Sequence, residues 1–391
     1  MRSCDEGRPS RRWFSLAVLT GLLGAGVGRA QALKPIVVGQ VGSLTHPQVA
    51  GPTTQYRAGI ALAMEFVNAR GGVHGRPLKL VFREDDFDPV KSLDLVKRLV
   101  AEDDIVALVG NVGTPSLLHL AQQGTLESLK LASFAPIAGL QSALDKPNVF
   151  PVRASYEDEL LAMFQHAAQL MRSRVAFLAI DSGVGRSLSV VAAELSQRAG
   201  VVLDPPSLFT FEPDPGQQTQ AIEQAIDRFA PGRPDAVVLI AAGPGFAAAA
   251  RSLKARYGLS LPIYCLGWVT PTSVVKAVGL QMARGIMLTQ VMPSPNTNDV
   301  AIVRDFQTQV LAQSPAQEVS YTLLEGFVAG RIAAEIVRRS PKPSRDAVLQ
   351  TALTTGDLSV AGFRVAYAPR QRRSLQKVDI TIIGASGTLL R

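Results

Sequence analysis

Ile105-Val106-Ala107-Leu108-Val109-Gly110-Asn111-Val112-Gly113-Thr114-Pro115-Ser116 reads in order as an apolar strand, a glycine-bearing turn and a helix start. A strand with no polar position suits the middle of a parallel sheet, where helices cover both faces. Pro115 sits where a helix opens, because a missing N–H costs nothing there, and Thr114 is placed to cap it. The same alternation runs upstream. Residues 36–41 read as a strand, followed by a helical run over 53–68 with Ile60, Met64 and Val67 at helical spacing. Residues 78–82 form a second strand, and Asp88-Pro89 opens a helix to about Glu102. This β-α-β-α-β rhythm predicts a doubly wound parallel sheet.

The rhythm restarts after Phe150, with strands predicted over 175–180, 236–240 and 262–266 and helices over 184–199 and 246–257. Two long helices (299–312 and 321–339), a short one (345–354) and β-like segments at 363–368 and 378–383 complete the chain. Segments 211–216 and 292–296, rich in proline, are loops. A length of 391 residues exceeds what one core usually holds, so two α/β lobes are expected. With 47% apolar and 18% charged residues the chain is globular. Ligands of open parallel sheets bind beyond the carboxyl ends of the strands. That rule selects the loops at 42–45, 110–116, 181–185, 241–246 and 267–268.

The first 32 residues have the order of an export signal. Ser10-Arg11-Arg12-Trp13-Phe14 precedes an apolar run over 15–27, and Ala30-Gln31-Ala32 offers small residues for cleavage before Leu33. The run is too short and glycine-rich for a membrane span, which needs roughly 20 apolar residues. The arginine pair leaves both the twin-arginine and the ordinary secretory route open. A soluble periplasmic protein is expected. Cys4 falls inside the signal, so Cys265 has no partner for an intrachain disulfide, and no cysteine follows the apolar run to carry a lipid. Arg2, Arg8, Arg11, Arg12 and Arg29 against Asp5 and Glu6 leave +5 of the formal +8 in the remainder. That charge is dispersed, which argues against nucleic acid as a partner.

Catalytic and metal motifs are missing. His46, His74, His119 and His166 have no metal-ligand spacing, and there is no H-E-x-x-H, G-x-S-x-G or Walker loop. Gly110-Asn111-Val112-Gly113 lacks the spacing of a dinucleotide loop, and Asp85-Asp86 fits a turn ahead of the Asp88-Pro89 helix start. No catalytic residue, cofactor or metal is therefore predicted. The 110–116 loop remains: glycines that let the backbone turn, the hydroxyls of Thr114 and Ser116, and the positive end of a helix suit a carboxylate. Ordinary capping by Thr114 is the alternative.

Asn68-Ala69-Arg70-Gly71-Gly72-Val73-His74-Gly75-Arg76-Pro77, Asp85-Asp86-x-Asp88-Pro89 and the 110–116 loop together resemble the leucine/isoleucine/valine-binding family of periplasmic solute receptors. Val152-Arg153-Ala154-Ser155-Tyr156-Glu157-Asp158-Glu159 and Tyr321-x-x-Leu324-Glu325-Gly326-Phe327 extend the resemblance, whose order and spacing hold from about Pro35 to Arg339. It implies two doubly wound lobes joined by a three-crossing hinge, with the ligand cleft between them. The crossings would fall near 150–153, 288–293 and 359–364. Lobe 1 would be 33–151 plus 291–358, and lobe 2 would be 152–290 plus 359–391. It also implies a monomeric receptor that delivers a small solute to an inner-membrane ABC permease.

By the same resemblance, an amino-acid carboxylate is gripped by the loop matching 113–116 and by the stretch Ala135-Pro136-Ile137-Ala138-Gly139. Ser116, Thr114 and the Ile137 N–H are the first carboxylate candidates, and Ser43, Asn111, Gly113, Ala135, Val184, Gly243 and Trp268 complete the set. The chain departs from the family at three of these places. Ile137 stands where Ser or Thr is frequent, Val184 where an aromatic precedes the glycine, and Gly267-Trp268 where amino-acid binders place an acid for the ammonium. Trp268 either offers a π face or simply packs. The expected solute has an anionic or polar group and an apolar body, and is not tied to the α-amino acids. Two rival readings are a periplasmic sensor of the same fold and an exported hydrolase using Asp85, Asp86 or Asp181.

Overall fold

The computed structural model describes residues 33–313, 319–368 and 372–391. The expected export signal, with Arg11-Arg12 and Ala30-Gln31-Ala32, lies outside the described residues. Five parallel strands form the first sheet: β1 (Ile36–Gly42), β2 (Leu78–Glu84), β3 (Leu108–Val109), β4 (Ser133–Phe134) and β5 (Val149–Phe150). Their order is β2-β1-β3-β4-β5, so the winding reverses between β1 and β3 and opens a crevice at their carboxyl ends. The strand expected over 105–109 pairs as β3 only at its last two residues, although all five are buried.

The second sheet has the parallel strands β6 (Arg174–Ile180), β7 (Val202–Leu203), β8 (Ser207–Phe209), β9 (Ala236–Ile240), β10 (Ile263–Cys265) and β11 (Ile286–Gln290). The chain then makes a small antiparallel sheet of β12 (Asp357–Val360), β13 (Phe363–Ala366) and β14 (Arg373–Ser374). It finishes as β15 (Asp379–Ile383) and β16 (Leu389–Leu390), antiparallel strands added to the β11 edge of the second sheet.

Helices Ala301–Gln313 and Tyr321–Arg339 return to the first sheet. Phe306, Phe327, Val328 and Ile332 share one buried cluster with Ile36, Val38, Val109 and Phe134. Helix Tyr321–Arg339 lies so close to helix Ala50–Asn68 that glycine is required on both. A Cβ on Gly59 would sit 2.1 Å from the Leu323 carbonyl oxygen, and one on Gly326 would sit 2.1 Å from that of Tyr56. Interiors of native density cannot absorb such overlap.

The chain passes between the two sheets after β5 and again after β11. Segment 359–364, expected to hold a third passage, is instead the β12–β13 hairpin. Its Leu358, Val360, Phe363 and Val365 belong to the first sheet's cluster, and the second sheet is reached only at Asp379.

Candidate functional site

The two sheets point their carboxyl ends at one cavity of about 160 Å³. The first sheet contributes Val112, Gly113, Thr114, Pro115 and Ile137, together with Phe87 from the loop after β2. The second contributes Ile180, Ser182 and Val184 after β6, Ile240 to Ala242 at β9, and Trp268 after β10. Tyr156, at the start of helix Tyr156–Gln169, and Gln48, Val49 and Pro52 close the wall. Among the described residues no Asp, Glu, Lys, Arg or His lines it.

Five of the ten residues expected at the site lie on this wall: Gly113, Thr114, Ile137, Val184 and Trp268. The other five do not. Ser43 is buried and turns its own loop, accepting the N–H groups of Thr45 (3.3 Å) and His46 (2.9 Å). Asn111 accepts the Val41 N–H at 3.3 Å through Oδ1. Ser116 is buried in the first turn of helix Thr114–Gln122, and its hydroxyl has no hydrogen-bond partner. Ala135 takes a left-handed backbone (φ 49°) and receives the Tyr56 hydroxyl on its carbonyl at 2.8 Å. Gly243 touches the facing 47–48 segment instead, since a Cβ there would sit 3.2 Å from the Pro47 carbonyl oxygen.

Two local expectations change. The Ile137 N–H donates to the Asn111 carbonyl at 2.8 Å, so that donor is already engaged. Thr114 does not cap its helix. Gly113 is the cap residue with no side-chain bond, while Thr114 Oγ1 accepts the Gly139 N–H at 3.4 Å. The Thr114 and Ser116 N–H groups thus start a helix with no carbonyl of that helix to receive them.

Sequence reasoning missed Tyr156 and Phe87. Tyr156 sits on Gly139, where any Cβ would fall 2.1 Å from its ring, and its N–H donates to the Gly139 carbonyl at 2.7 Å. Burial pushes its phenol up to about 12, so it stays neutral at physiological pH. Phe87 reaches the cavity because Asp85 shapes the turn before it. The Asp85 carboxylate accepts the Phe87 N–H at 2.9 Å, and Asp86 and Phe87 both take left-handed backbone. Asp85-Asp86 was legible as a turn, but its product, an aromatic delivered to the cleft, was not. Asp86 pairs with Lys91 and Asp181 with Arg186, both off the cavity wall, so the acids named for hydrolysis do not converge. Among the described residues no group of three or more His, Cys, Asp or Glu could hold a metal ion.

Next to the cavity lies a buried ion network. Arg153, in the first passage between the sheets, pairs with Glu159 at 3.1 Å and approaches Glu325 of helix Tyr321–Arg339 at 3.8 Å. Glu159 also accepts the Gly267 N–H at 3.0 Å and the Thr289 hydroxyl, which fixes the turn that presents Trp268. Burial lifts the Glu325 carboxyl above its ordinary range against the pull of Arg153. The Arg153 guanidinium stands 5.5 Å from the Tyr156 ring, so the network and the cavity share that residue.

A family model described as periplasmic binding protein matches residues 35–384. The chain is 28% identical over 141 residues to an amino acid binding protein of Pseudomonas aeruginosa PAO1. That match covers 36% of this chain and 35% of the relative, so the chain spans about a third of the relative's length. An extracellular ligand-binding receptor from Verminephrobacter eiseniae has a similar structure, with a TM-score of 0.80 at 25% identity over 92% of this chain and 100% of that one. So does a possible leucine/isoleucine/valine-binding protein from Rhodopirellula baltica, with a TM-score of 0.80 at 21% identity over 92% and 96%.

Proposed function

This chain belongs to the periplasmic binding protein family, and from that premise we propose that it is the receptor of an ABC importer. It captures one small carboxylate-bearing or amino-acid-like solute between two lobes and presents it to an inner-membrane permease. The observation that carries the reading is the cavity: loops from the carboxyl ends of both sheets meet around a space of solute size, with no Asp, Glu, Lys, Arg, His or Cys in its wall among the described residues. A site split between two lobes couples binding to closure, because only the closed form makes all the contacts at once.

We place one lobe at 33–151 plus 291–374 and the other at 152–290 plus 379–391, with the third passage between Ser374 and Asp379. Residues 1–32 serve as the export signal in this reading, and the receptor acts as a monomer in the periplasm. Gly113, Thr114, Ile137, Val184 and Trp268, with Tyr156 and Phe87, form the binding wall.

Native mass spectrometry of the purified protein tests the proposal, followed by a thermal-shift screen across amino acids, carboxylates, sugars and amines. A bound solute raises the apparent stability by mass action, by about 2.7 kcal/mol at a hundred times its dissociation constant. One bound small molecule released unchanged is the expected result. No bound mass and no stabilisation by any class of solute would overturn it.

A further inference from the structure

Resting on the cavity as the solute site, we propose that it selects a small monocarboxylate with no amino group and an apolar body about the size of a benzene ring. Helix starts at the wall carry the first part of the argument. Helices Ala50–Asn68, Thr114–Gln122 and Gly243–Tyr257 begin there at Val49, Gly113 and Ala242, with no side-chain cap and no acid in the first turn. Two further helices that start at the wall are closed, Gly183–Ala199 by Ser182 and Tyr156–Gln169 by Ser155 with three acids in its first turn, so three of the five starts there are open. Off the wall, several starts are closed. Asp88, Asp214, Thr270 and Ser320 cap their helices, and Arg345–Thr354, without such a bond, has Asp346 in its first turn. Caps normally satisfy the unpaired N–H groups of a helix start. Uncapped starts converging on one space leave partial positive charge facing it, which favours an anion and disfavours an ammonium.

Unpartnered buried donors carry the second part. The Ser116 hydroxyl is not on the wall itself but follows the wall residues Thr114 and Pro115 in the first turn of helix Thr114–Gln122, and it is 2% exposed and bonded to nothing. The indole N–H of Trp268, a wall residue, is likewise buried without a partner. A carboxylate has acceptor sites for several such donors.

The third part concerns the amino group. An ammonium taken out of water needs a carboxylate or a free aromatic face. Among the described residues the wall has no acid. Glu159 is engaged by Arg153, Gly267 and Thr289, and Asp85 lies off the wall, buried, with one oxygen accepting the Phe87 N–H and the other without a partner. Tyr156 already has the Arg153 guanidinium near its ring. As for size, a cavity of about 160 Å³ is close to an apolar cavity of about 150 Å³ known in another protein to take benzene. Phe87, Tyr156 and Trp268 supply aromatic surface for such a body.

Calorimetry on protein stripped of co-purified solute tests this with matched probes: 4-methylpentanoate against leucine, and benzoate against benzylamine. The carboxylate without an amino group is expected to bind on the order of 100-fold tighter than its partner in at least one pair. Leucine equal to or tighter than 4-methylpentanoate overturns the class and leaves the receptor reading standing. So does a different solute found in the cleft by mass spectrometry when neither carboxylate binds. No solute of any class overturns both. Val184→Asp adds a carboxylate to the wall, and it should weaken the carboxylate on the order of 100-fold and strengthen the amine, with Val184→Asn as the uncharged control. Equal loss in both variants would also overturn the electrostatic argument.

Discussion

Two neighbouring buried regions, sharing only Tyr156, treat polar groups in opposite ways. At the passage between the sheets, Arg153, Glu159 and Glu325 bring three ionisable groups into the interior and answer each with another. Among the described residues the cavity wall has no ionisable acid or base except the neutral Tyr156 phenol, and three of the five helix starts around it are left open. Charges paired with one another hold a geometry even where single atoms, Arg153 Nε and Glu325 Oε1, lack a hydrogen bond, while unpaired donors beside a cavity hold a place for something else. A protein that must both hinge and bind keeps these two kinds of chemistry apart, since a stray charge in the cleft would set the ligand's sign by accident.

The largest effect should come from breaking the charged region. Arg153→Met leaves Glu159 and Glu325 buried without their cation, and is expected to lose about 3–5 kcal/mol in urea unfolding. Glu159→Gln should lose less, because an amide oxygen still accepts the Gly267 N–H. If Arg153→Met unfolds like the parent, the network is not what holds the passage, and the contrast with the cavity fails.

Glu325 gives the contrast a pH signature. Burial raises its folded-state pKa above the ordinary 4.5, with Arg153 opposing and Glu159 adding to the rise. Between the unfolded and folded values the native state therefore holds the extra proton, and stability falls as pH rises through that window. Glu325→Gln removes the titration. Relative to the parent, its stability should be constant below about pH 4.5 and should improve as pH climbs above it. Chemical denaturation at a series of pH values checks this, and a flat or falling difference would place Glu325 among the stabilising charges instead.

How much of this was legible in sequence depends on distance along the chain. Parallel strands announce themselves as apolar runs, so β1, β6 and β9 and the helices between them could be read locally. The cavity loops followed from the carboxyl-end rule, which is why Gly113, Val184 and Trp268 were found. What could not be read was the partner of each polar group. Ser43, the Asn111 Oδ1 and the Ile137 N–H look available in sequence and are occupied in the fold by His46, Val41 and Asn111, while the Asn111 Nδ2 is left buried without a partner. Tyr156 was quoted for its motif, but its place on the wall depends on Gly139, seventeen residues earlier, making room for its ring. The segment at 363–368 was read as β-like, but nothing local in a short antiparallel strand says which core it joins, and the contacts of Phe363 and Val365 with the first sheet's cluster are made across long sequence separations.

The smallest effects test the cavity side, through helix caps. Asp214→Ala, off the cavity wall, should cost about 1 kcal/mol of stability and leave solute affinity unchanged, since the N–H it caps serves only the helix. Ala242→Ser should do the reverse. Ala242 has φ −138° and ψ 164°, nearly the backbone of Ser182 (φ −139°, ψ 170°), whose hydroxyl accepts the Gly185 N–H at 3.1 Å. A serine at 242 can therefore accept the Gly245 N–H in the same way and stabilise the empty protein by about 0.5–1 kcal/mol. That N–H is then no longer free for a carboxylate, so affinity for the anionic solute should fall several-fold while a neutral amide analogue is less affected. Thermal unfolding of the empty protein and calorimetry of the two solutes separate the effects. If Ala242→Ser stabilises the fold with no loss of anion affinity, the open helix start is mere omission, and the distinction between a closed hinge and an open cleft has to rest on the Trp268 indole N–H, with Ser116 behind the wall.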